Sequence, residues 1–377
     1  MDANNFDTEI TRTSNANLHT AKVADKNEFY TQYEDIEKEM NAYFEYNKNV
    51  FRDKTVLCPC DDPEWSNFTK YFVASFNKLG LKKLISTSYA KVSGNDDVFD
   101  FEKSSSKYDA NKHSTHGKVF TITKKDIKNV DFDDIQFEYL EGDGDFRSDE
   151  VCKLRDEADI IITNPPFSLF RDFIDWLYFA NKQFIIIGNV NAVTYKEIFP
   201  LLRDNRLWLG VTIHSGDRKF YVPDNYPLEA AGCGIDKDGR RYIRVKGVRW
   251  YTNIEHGYRH EQMNLMTMAD NIKFNRKAKK KFDFEYNGHN YPQYDNYDAI
   301  EVPTTDSIPS DYDGVMGVPI TFLDRYCPEQ FEILDINPHF FSIVEQGLSK
   351  PKQLTLNGVG AKKDPYARIL IKHKKGC

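Results

Sequence analysis

Residues 158–163 (ADIIIT), followed at once by Asn164-Pro165-Pro166-Phe167, constrain the fold of this chain more than any other segment. A short continuous apolar run predicts a strand that is buried on both faces. Each proline fixes φ and removes a backbone donor, so the strand has to end in a stiff turn with more acceptors than donors. An ordinary strand-ending turn is the alternative interpretation, since Pro-Pro interrupts regular structure in many proteins.

Short apolar strands and amphipathic helices alternate through the first two thirds of the chain. Strands are predicted at residues 56–58, 84–89, 137–140, 184–188, 207–211 and 248–251, and helices at residues 34–44, 67–79 and 168–179. Gly80 is the expected C-cap of the second helix. The alternation predicts an α/β fold in which a parallel sheet carries helices on both faces. Ligand-binding residues are then expected just past the carboxyl ends of the strands.

Three segments of the chain differ in composition. Residues 1–27 are polar and without pattern, which predicts a flexible N-terminal arm. Residues 28–255 hold the alternating strands and helices, interrupted by a polar inserted loop at residues 91–117. Residues 256–377 are rich in Tyr, Asn, Asp and Pro, which predicts a second region with a different role.

Composition argues against membrane, secreted and metal-binding classes. The chain has no apolar run long enough to span a membrane, and its N-terminus lacks the features of a signal peptide. Six cysteines without a framework spacing predict reduced thiols and a cytoplasmic location. Cys58-Pro59-Cys60 has no matching second pair, so no metal site is expected.

Positive charge is concentrated in the second half of the chain, although the net charge is −7. Basic residues strongly outnumber acidic ones between residues 240 and 281, and a second basic cluster lies between residues 362 and 375. This asymmetry favours a phosphate-binding surface over the alternative of a solvated face. The candidate phosphate-contacting residues are Lys277, Lys279, Lys280, Lys281 and Arg368.

The turn after the apolar run carries the residue types that an amino-group methylation needs. Adenine N6 is a poor nucleophile because its lone pair is delocalised into the ring. The Asn164 side-chain oxygen and the Pro165 carbonyl could draw the two N–H bonds toward acceptors, so that the lone pair faces an electrophilic methyl group. Phe167 offers a ring on which a base can stack. Asn164, Pro165, Pro166 and Phe167 are therefore the catalytic candidates.

Several longer strings carry a resemblance to a known family. They are residues 29–33 (FYTQY), 60–63 (CDDP), 66–68 (SNF), 142–148 (GDGDFRS), 158–171 (ADIIITNPPFSLFR), 187–189 (IGN), 191–192 (NA), 194–200 (TYKEIFP) and 314–324 (GVMGVPITFLD). With these strings the chain resembles the EcoRI-type adenine-specific DNA methyltransferases. The resemblance implies a Rossmann-like class I methyltransferase sheet in residues 28–255, with S-adenosyl-L-methionine as cofactor. It also implies a DNA target-recognition region in residues 256–377.

The resemblance assigns the methionine end of the cofactor to the start of the domain. Tyr30 and Thr31 lie in the motif that covers the methionine moiety, and Asp61 follows the first strand, where an acid meets the charged end. The usual Gly-x-Gly turn is replaced here by residues 62–66, and Gln32 stands where relatives often have Pro. The remaining candidates for cofactor binding near this turn are Asp62, Pro63, Asn67 and Phe68.

The adenine end of the cofactor is assigned to residues 142–148. Asp145 is similar to the acid that accepts from the adenine amino group, and Phe146 to the ring that packs on it, with Asp143 as the competing acid. The candidates for the target-base pocket are Asn189, Asn191 and Phe220. Capping is the alternative role for the two asparagines, and a core position is the alternative for Phe220.

The sequence thus predicts a site-specific DNA adenine-N6 methyltransferase that acts on a flipped-out adenine in duplex DNA. It is expected to be a monomer associated with the nucleoid, in a restriction-modification or mobile-element context, with a cognate restriction endonuclease as a candidate partner. A protein-glutamine or RNA amino-methyltransferase on the same fold is one alternative. A catalytically inactive DNA-binding relative is another, although the intact Asn164-Pro165-Pro166-Phe167 argues against it.

Overall fold

A computed structural model describes residues 31–90, 105–127, 136–214, 217–222, 228, 232–237, 239–349, 353–356 and 367–374. The predicted arm at residues 1–27, Tyr30 and most of the predicted loop at residues 91–117 lie outside the described residues. The chain divides into two compact units, Met1–Val190 with Ser215–Ile254 and Asn191–His214 with Glu255–Cys377. The assignment of a methyltransferase domain to residues 28–255 and of target recognition to residues 256–377 stays a prediction.

The regular elements are numbered along the chain. The helices are α1 (Tyr33–Tyr46), α2 (Asn67–Leu79), α3 (Asp149–Glu157), α4 (Phe170–Phe179), α5 (Phe199–Arg203), α6 (Met268–Phe274), α7 (Arg276–Glu285) and α8 (Phe341–Glu345). The strands are β1 (Thr55–Cys58), β2 (Lys83–Ser88), β3 (Lys118–Thr123), β4 (Glu138–Tyr139), β5 (Ile160–Thr163), β6 (Gln183–Asn189), β7 (Trp208–Leu209), β8 (Asp217–Tyr221), β9 (Gly234–Ile235), β10 (Arg241–Lys246), β11 (Val248–Thr252), β12 (Ile300–Glu301), β13 (Met316–Pro319), β14 (Phe331–Asn337) and β15 (Arg368–His373).

The main sheet of the first unit places its strands in the order β4-β3-β2-β1-β5-β6-β11. The four central strands, β2, β1, β5 and β6, run parallel. The predicted parallel arrangement is confirmed for these four strands, whereas β3, β4 and β11 at the flanks pair antiparallel with their neighbours. Parallel neighbours need a crossover connection, which α2 supplies between β1 and β2 and α4 between β5 and β6.

Helix α2 shows how local sequence fixes an element of this core. The Ser66 hydroxyl accepts from the Phe68 N–H at 3.1 Å and caps the first turn. Gly80 ends the helix with φ of +69° and donates to the carbonyls of Asn77 and Phe76, as the sequence predicts. Between the caps, apolar side chains at helical spacing are buried, among them Phe72 and Phe76. Full burial of one such ring contributes about 2–3 kcal/mol.

A second, three-stranded sheet of the first unit has the order β8-β10-β9 and is wholly antiparallel. Its strands carry no clear sequence signal, because they combine charged and apolar residues in nearly equal number. Phe220, Ile243 and Val245 are 2%, 1% and 7% exposed and form its apolar face. Gly247, with φ of +71°, separates β10 from β11.

The second unit contains a four-stranded sheet in the order β12-β13-β15-β14. Its pairs are antiparallel except for β12 with β13. Tyr286 and Tyr294, from the tyrosine-rich segment without clear alternation, are buried and donate their hydroxyls to Glu301 of β12. The helices in the described part of the chain include none that is long and apolar enough to cross a membrane.

Candidate functional site

The carboxyl ends of the four parallel strands meet at one edge of the main sheet. β1 and β5 are direct neighbours in the centre of the sheet. The chain leaves β1 toward Asp61 and leaves β5 toward Asn164, so both follow the edge where ligands bind in open α/β sheets. The structure therefore brings together two candidates that are about a hundred residues apart in sequence.

Asp61 connects three strands with the start of α2. Its N–H donates to the Thr87 carbonyl of β2 at 2.9 Å. Its carboxylate accepts from the Ser66 hydroxyl at 2.7 Å and from the Thr163 hydroxyl of β5 at 2.5 Å. Asp61 is only 5% exposed. A buried carboxylate needs such donors, and its two oxygens have room for more than two of them.

Thr163 links the candidate cofactor acid to the candidate catalytic turn. Its hydroxyl donates to Asp61 and accepts from the Cys60 N–H at 3.3 Å. Thr163 directly precedes Asn164. Its side chain therefore connects the turn after β1 with the catalytic candidate. Sequence reasoning missed this residue, because a threonine at the end of an apolar strand carries no local sign of its partner.

After β5 the chain forms the turn at residues 164–167, which begins without regular structure and leads into a helix. Pro165 is buried, whereas Asn164, Pro166 and Phe167 are half-buried. The Pro166 carbonyl accepts from the Leu169 N–H at 2.9 Å and starts a 3-10 turn, Phe167–Leu169. The Pro165 carbonyl accepts no hydrogen bond within the described part of the chain. It thus remains available to an external donor, as the amine-acceptor hypothesis requires.

Gly188 sets the path of the chain after this turn. An added Cβ at Gly188 would lie 2.5 Å from the Phe170 ring. The bare glycine therefore lets Phe170, the first residue of α4, pack directly on β6. Phe170 also contacts Tyr251 of β11, with 5.1 Å between ring centroids.

Thr31 lies two residues before α1 and contacts Asn67, the first residue of α2. The Asn67 side chain donates to the Thr31 carbonyl at 2.7 Å. The Thr31 hydroxyl is buried and has no hydrogen-bond partner within the described residues. A buried hydroxyl without a partner is costly, and it fits a site completed by a polar ligand. Tyr30, predicted to contact the same ligand, lies outside the described residues.

Asp62 and Pro63 shape the turn that replaces the usual Gly-x-Gly. One Asp62 oxygen accepts from the backbone N–H groups of Glu64 and Trp65 at 2.9 and 3.3 Å. The other pairs with Lys118 of β3 at 3.0 Å, and Lys118 also pairs with Glu64 at 3.0 Å. Pro63 is buried. The side chain of Asp62 is therefore committed to the turn itself, and a contact with the cofactor stays a prediction.

Lys118 is a buried cation at this edge that sequence reasoning missed. It is 5% exposed, and its ammonium lies 4.7 Å from the centre of the Phe137 ring. Burial lowers the pKa of Lys118, but the carboxylates of Asp62 and Glu64 outweigh burial and raise the pKa above its usual value. The lysine therefore stays charged and fixes β3 to the turn after β1.

The turn at residues 142–146 presents the two competing acids differently. Both oxygens of Asp145 accept from the Arg147 guanidinium, at 2.9 and 2.7 Å. The hydrogen bonds from Arg147 lower the pKa of Asp145 despite partial burial. Asp143 accepts from the Asp145 N–H at 3.0 Å, and its carbonyl accepts from the Ala90 N–H at 2.6 Å. The turn is thereby attached just past the end of β2.

Two aromatic candidates for cofactor binding are packed in the core. Phe146 is 4% exposed, and its ring centroid lies 5.0 Å from that of Phe173 and 5.5 Å from that of Trp176. Phe68 is 1% exposed and contacts Trp250 edge to face, with 6.0 Å between centroids. The structure gives both rings a packing role, and a contact with the cofactor stays a prediction.

The three target-base candidates differ in their surroundings. Asn189, at the end of β6, donates to the Lys246 carbonyl at 3.2 Å, and its own carbonyl accepts from Tyr251 at 2.8 Å. Asn191 belongs to the second unit and is exposed. Phe220 lies in the apolar face of β8 and is 2% exposed. The hypothesis that Phe220 stacks on a base is therefore not supported, because its ring is used by the core.

The five phosphate-contacting candidates belong to the second unit and differ in their surroundings. Lys279 and Lys280 of α7 are exposed and form no ion pair within the described residues. Lys277 pairs with Asp306 at 3.6 Å, and Lys281 with Glu285 at 2.9 Å. These four lysines stay candidates for contacts with phosphate.

Arg368 corrects the prediction for the fifth candidate. Its guanidinium pairs with Glu301 at 2.7 Å, and the two side chains are 13% and 0% exposed. Since this charge is already committed to a buried carboxylate, Arg368 is not presented to a DNA phosphate. The described residues include no group of three His, Cys, Asp or Glu side chains arranged to hold a metal ion.

Comparison with known proteins identifies the family. Residues 17–374 match the family described as "Adenine-specific methyltransferase EcoRI". The chain belongs to the EcoRI family of adenine-specific methyltransferases. It is therefore an enzyme, and its mixed sheet with flanking helices is that of a class I methyltransferase.

Three curated relatives cover most of the chain. "Type II methyltransferase M.EcoRI" of Escherichia coli is 42% identical over 96% of this chain and 98% of its own length. "Type II methyltransferase M.MgeORF184P" of Mycoplasma genitalium is 34% identical over 95% of this chain and 99% of its own. "Type II methyltransferase M.MpnI" of Mycoplasma pneumoniae is 36% identical over 85% and 86%. No significant match exists among solved structures.

Proposed function

We propose that this enzyme transfers a methyl group from S-adenosyl-L-methionine to N6 of an adenine in duplex DNA. The observation that carries the proposal is the junction of Asp61, Thr163 and Asn164 at the carboxyl edge of the sheet. Asp61, the candidate cofactor acid, and Asn164, the candidate amine acceptor, follow adjoining strands, which supports the proposal within a family named for adenine-specific methyl transfer.

The residues at this edge fit the cofactor. S-adenosyl-L-methionine, when bound, supplies the electrophilic methyl group. The Thr31 hydroxyl, which has no partner within the described residues, and the buried carboxylate of Asp61 would bind its charged amino-acid end. Either Asp143 or Asp145 would accept from its adenine amino group; Asp143 has fewer donors of its own, whereas both oxygens of Asp145 are held by Arg147.

The turn at residues 164–167 would hold the target amine. The Pro165 carbonyl and the Asn164 side-chain oxygen would each accept one N–H of the adenine amino group, which orients the nitrogen lone pair toward the methyl group. A base stacked in a duplex cannot reach this edge of the sheet, so the target adenine would rotate out of the helix at a cost of a few kcal/mol. Stacking on Phe167 would offset part of that cost, by about 1–3 kcal/mol.

The names of the relatives support a biological setting for this activity. Each of the three carries the words "Type II methyltransferase" in its name. This enzyme would then modify one DNA sequence in the cytoplasm, at the nucleoid, as a monomer, and would protect that sequence from a cognate restriction endonuclease.

A direct assay tests the proposed function. The purified chain is incubated with tritiated S-adenosyl-L-methionine and unmethylated plasmid DNA, and the digested nucleosides are separated by mass. The expected product is N6-methyl-2′-deoxyadenosine in DNA from the wild type and none from Asn164→Ala. Label in RNA or in protein with none in DNA would overturn the proposal.

Sequencing of modified bases in cells that express the chain then gives the recognition sequence. A single motif methylated at nearly every copy is the expected result. Methylation scattered over unrelated adenines would contradict site specificity.

A further inference from the structure

The three-stranded sheet of the first unit has a basic, aromatic face opposite its apolar one. In the register of β8 and β10, Lys219 lies opposite Arg244, and Tyr221 lies opposite Tyr242. Alternate residues of a strand share a face, so these four side chains and Lys246 lie on one side. Phe220, Ile243 and Val245 occupy the other side, where they are buried. By the same alternation Arg218 and Arg241 also belong to that side.

This face keeps two cations directly opposite each other. Like charges at directly opposed positions of an antiparallel pair are destabilising, and Lys219 and Arg244 occupy such positions. Arg244 and Lys246 are exposed and form no ion pair within the described residues. The arrangement lowers stability in isolation, and a polyanion would relieve it.

One acid partly balances these cations. Asp236 pairs with Lys219 at 3.6 Å and with Arg240 at 3.2 Å. A second acid, Asp217 of β8, lies opposite Lys246 in the register of β8 and β10. The four cations on or beside the face, Lys219, Arg240, Arg244 and Lys246, outnumber these two acids, so the face keeps a net positive charge.

Two tyrosine rings lie between the cations. The Lys219 ammonium is 4.1 Å from the centre of the Tyr242 ring, and the Arg240 guanidinium is 4.1 Å from that of Tyr221. The Tyr221 hydroxyl donates to Asp236 at 2.8 Å, which fixes its ring. Gly234 of β9 makes room for Tyr242, because an added Cβ would lie 2.9 Å from its hydroxyl oxygen.

The antiparallel pair β8 and β10 carries cations that alternate with aromatic rings, and such a surface is suited to binding duplex DNA. The major groove admits a two-stranded β-ribbon, and several DNA-binding proteins insert strands there. Phosphates on either side of the groove favour exposed Arg and Lys, whereas rings and polar groups meet sugars and base edges. A merely solvated face would explain the charges but not the ordered rings between them.

We propose that the face formed by β8 and β10 docks in the major groove of the duplex that this enzyme methylates, with Arg244 and Lys246 on phosphates and Tyr242 facing into the groove. The proposal rests on the proposed function. It adds a DNA-contacting surface in the first unit to the lysines predicted on α7.

The test measures DNA binding by the full chain in fluorescence anisotropy, with a labelled duplex cut from unmethylated plasmid. The variant Arg244→Gln/Lys246→Gln is titrated at several salt concentrations. Each phosphate contact contributes about 0.9 to the slope of log affinity against log salt. The variant is therefore expected to bind more weakly, with a slope that is smaller by about 1.8. A slope equal to that of the wild type overturns the proposal.

Two further variants keep the result interpretable. Lys38→Gln/Lys48→Gln makes the same change of charge at exposed positions in and just after α1 of the same unit, and its slope is expected to match the wild type. Tyr242→Ala removes a ring and no charge. It is expected to lower affinity by about 5-fold or more with the slope unchanged, and wild-type affinity in this variant overturns the placement of the ring.

The two proposals fail separately. A wild type that transfers no methyl group to DNA contradicts the proposed function. A wild type that methylates DNA, while Arg244→Gln/Lys246→Gln keeps its affinity and slope, contradicts only the docking surface. An RNA duplex of equal length that competes as well as the DNA duplex overturns the choice of DNA as the partner.

Discussion

Single residues show how buried polar groups are used in this enzyme. Asp61 and Glu301 are both buried carboxylates, at 5% and 0% exposure. Glu301 is surrounded by a guanidinium and two tyrosine hydroxyls, so its acceptor sites are filled from within the protein. Asp61 accepts from the hydroxyls of Ser66 and Thr163 and lies just past the carboxyl end of β1. The first arrangement is typical of a structural role and the second of a binding site.

Asn164 is the residue whose loss is expected to affect chemistry most directly. In Asn164→Ala one acceptor for the target amine is lost, and loss of one preorganised hydrogen bond in a transition state costs about 100-fold or more in kcat. The proposed cofactor contacts do not involve Asn164, so the Kd of S-adenosyl-L-methionine measured by calorimetry should stay within about twofold of the wild type.

Asn164→Asp is the matched variant for this prediction. It keeps one acceptor oxygen at the same distance from the backbone, and it should retain more turnover than Asn164→Ala. Turnover of the alanine variant within tenfold of the wild type would contradict the role assigned to Asn164.

Arg368 tests the correction made to the DNA-binding prediction. Arg368→Met would leave Glu301 buried without its charged partner, and breaking a buried ion pair costs about 3–5 kcal/mol. The free energy of unfolding in urea should fall by this amount, because the side chain of Glu301 is fully buried. The salt slope of DNA binding should stay unchanged in the folded variant, and a smaller slope would restore the phosphate-contact hypothesis.

Elements of the main sheet are positioned by glycines where two backbones approach closely. Gly144 has φ of +80°, and an added Cβ would lie 2.2 Å from the Ser88 carbonyl oxygen. A Cβ added at Gly117 would likewise lie 2.5 Å from the same carbonyl oxygen. The turn that carries Asp143 and Asp145 therefore depends on bare backbone at the ends of β2 and β3.

Gly144→Ala should displace this turn. The positive φ costs a residue with a Cβ about 1–2 kcal/mol, and overpacking adds about 1–3 kcal/mol. The midpoint of thermal unfolding should fall, and the affinity for S-adenosyl-L-methionine should fall with it if the turn binds the cofactor adenine. Gly142→Ala is the matched control, because its added Cβ meets only the Glu150 carboxylate, at 3.6 Å. Equal losses in both variants would refute the steric argument.

At the scale of the whole molecule, stability depends on a histidine buried in the second unit. The ring of His256 is 1% exposed and lies 3.0 Å from the Leu209 carbonyl through Nε2. Burial lowers the pKa of His256 to about 4, with a smaller contribution from the Arg259 charge. In the unfolded chain the same imidazole titrates near its ordinary value of 6.5.

The sign of the pH effect follows from these two values. Between pH 6.5 and about 4 the unfolded chain binds a proton at His256 that the folded chain does not, so folding becomes less favourable as pH falls. The contribution is fully present above pH 6.5. Urea unfolding is measured at several pH values. As pH falls, the free energy of unfolding should decrease less in His256→Gln than in the wild type. His289→Gln is the control, because it removes an exposed imidazole. Identical pH dependence of His256→Gln and the wild type would contradict this account.

Local sequence by itself determined those elements whose signals lie within a few residues. Helix α2 begins after Ser66 and ends at Gly80, as predicted, because capping and apolar spacing are local properties. Strand β5 and the turn at residues 164–167 follow from an apolar run and two prolines in the same way. The family could also be read from the sequence, since long motif strings need no three-dimensional information.

Only the tertiary structure decided which distant residues meet. The Thr163 hydroxyl donates to Asp61, which is 102 positions away in the sequence, and Lys118 donates to Asp62, which is 56 positions away. The flanking strands of the main sheet pair antiparallel for the same kind of reason, because strand pairing depends on which edge is adjacent rather than on the composition of the strand. Arg368 lies in a basic cluster of the sequence, which predicts a contact with DNA. In the folded chain it instead forms an ion pair with Glu301 of β12. A residue's charge and hydropathy are fixed in the sequence, whereas its partner is fixed only when the chain folds.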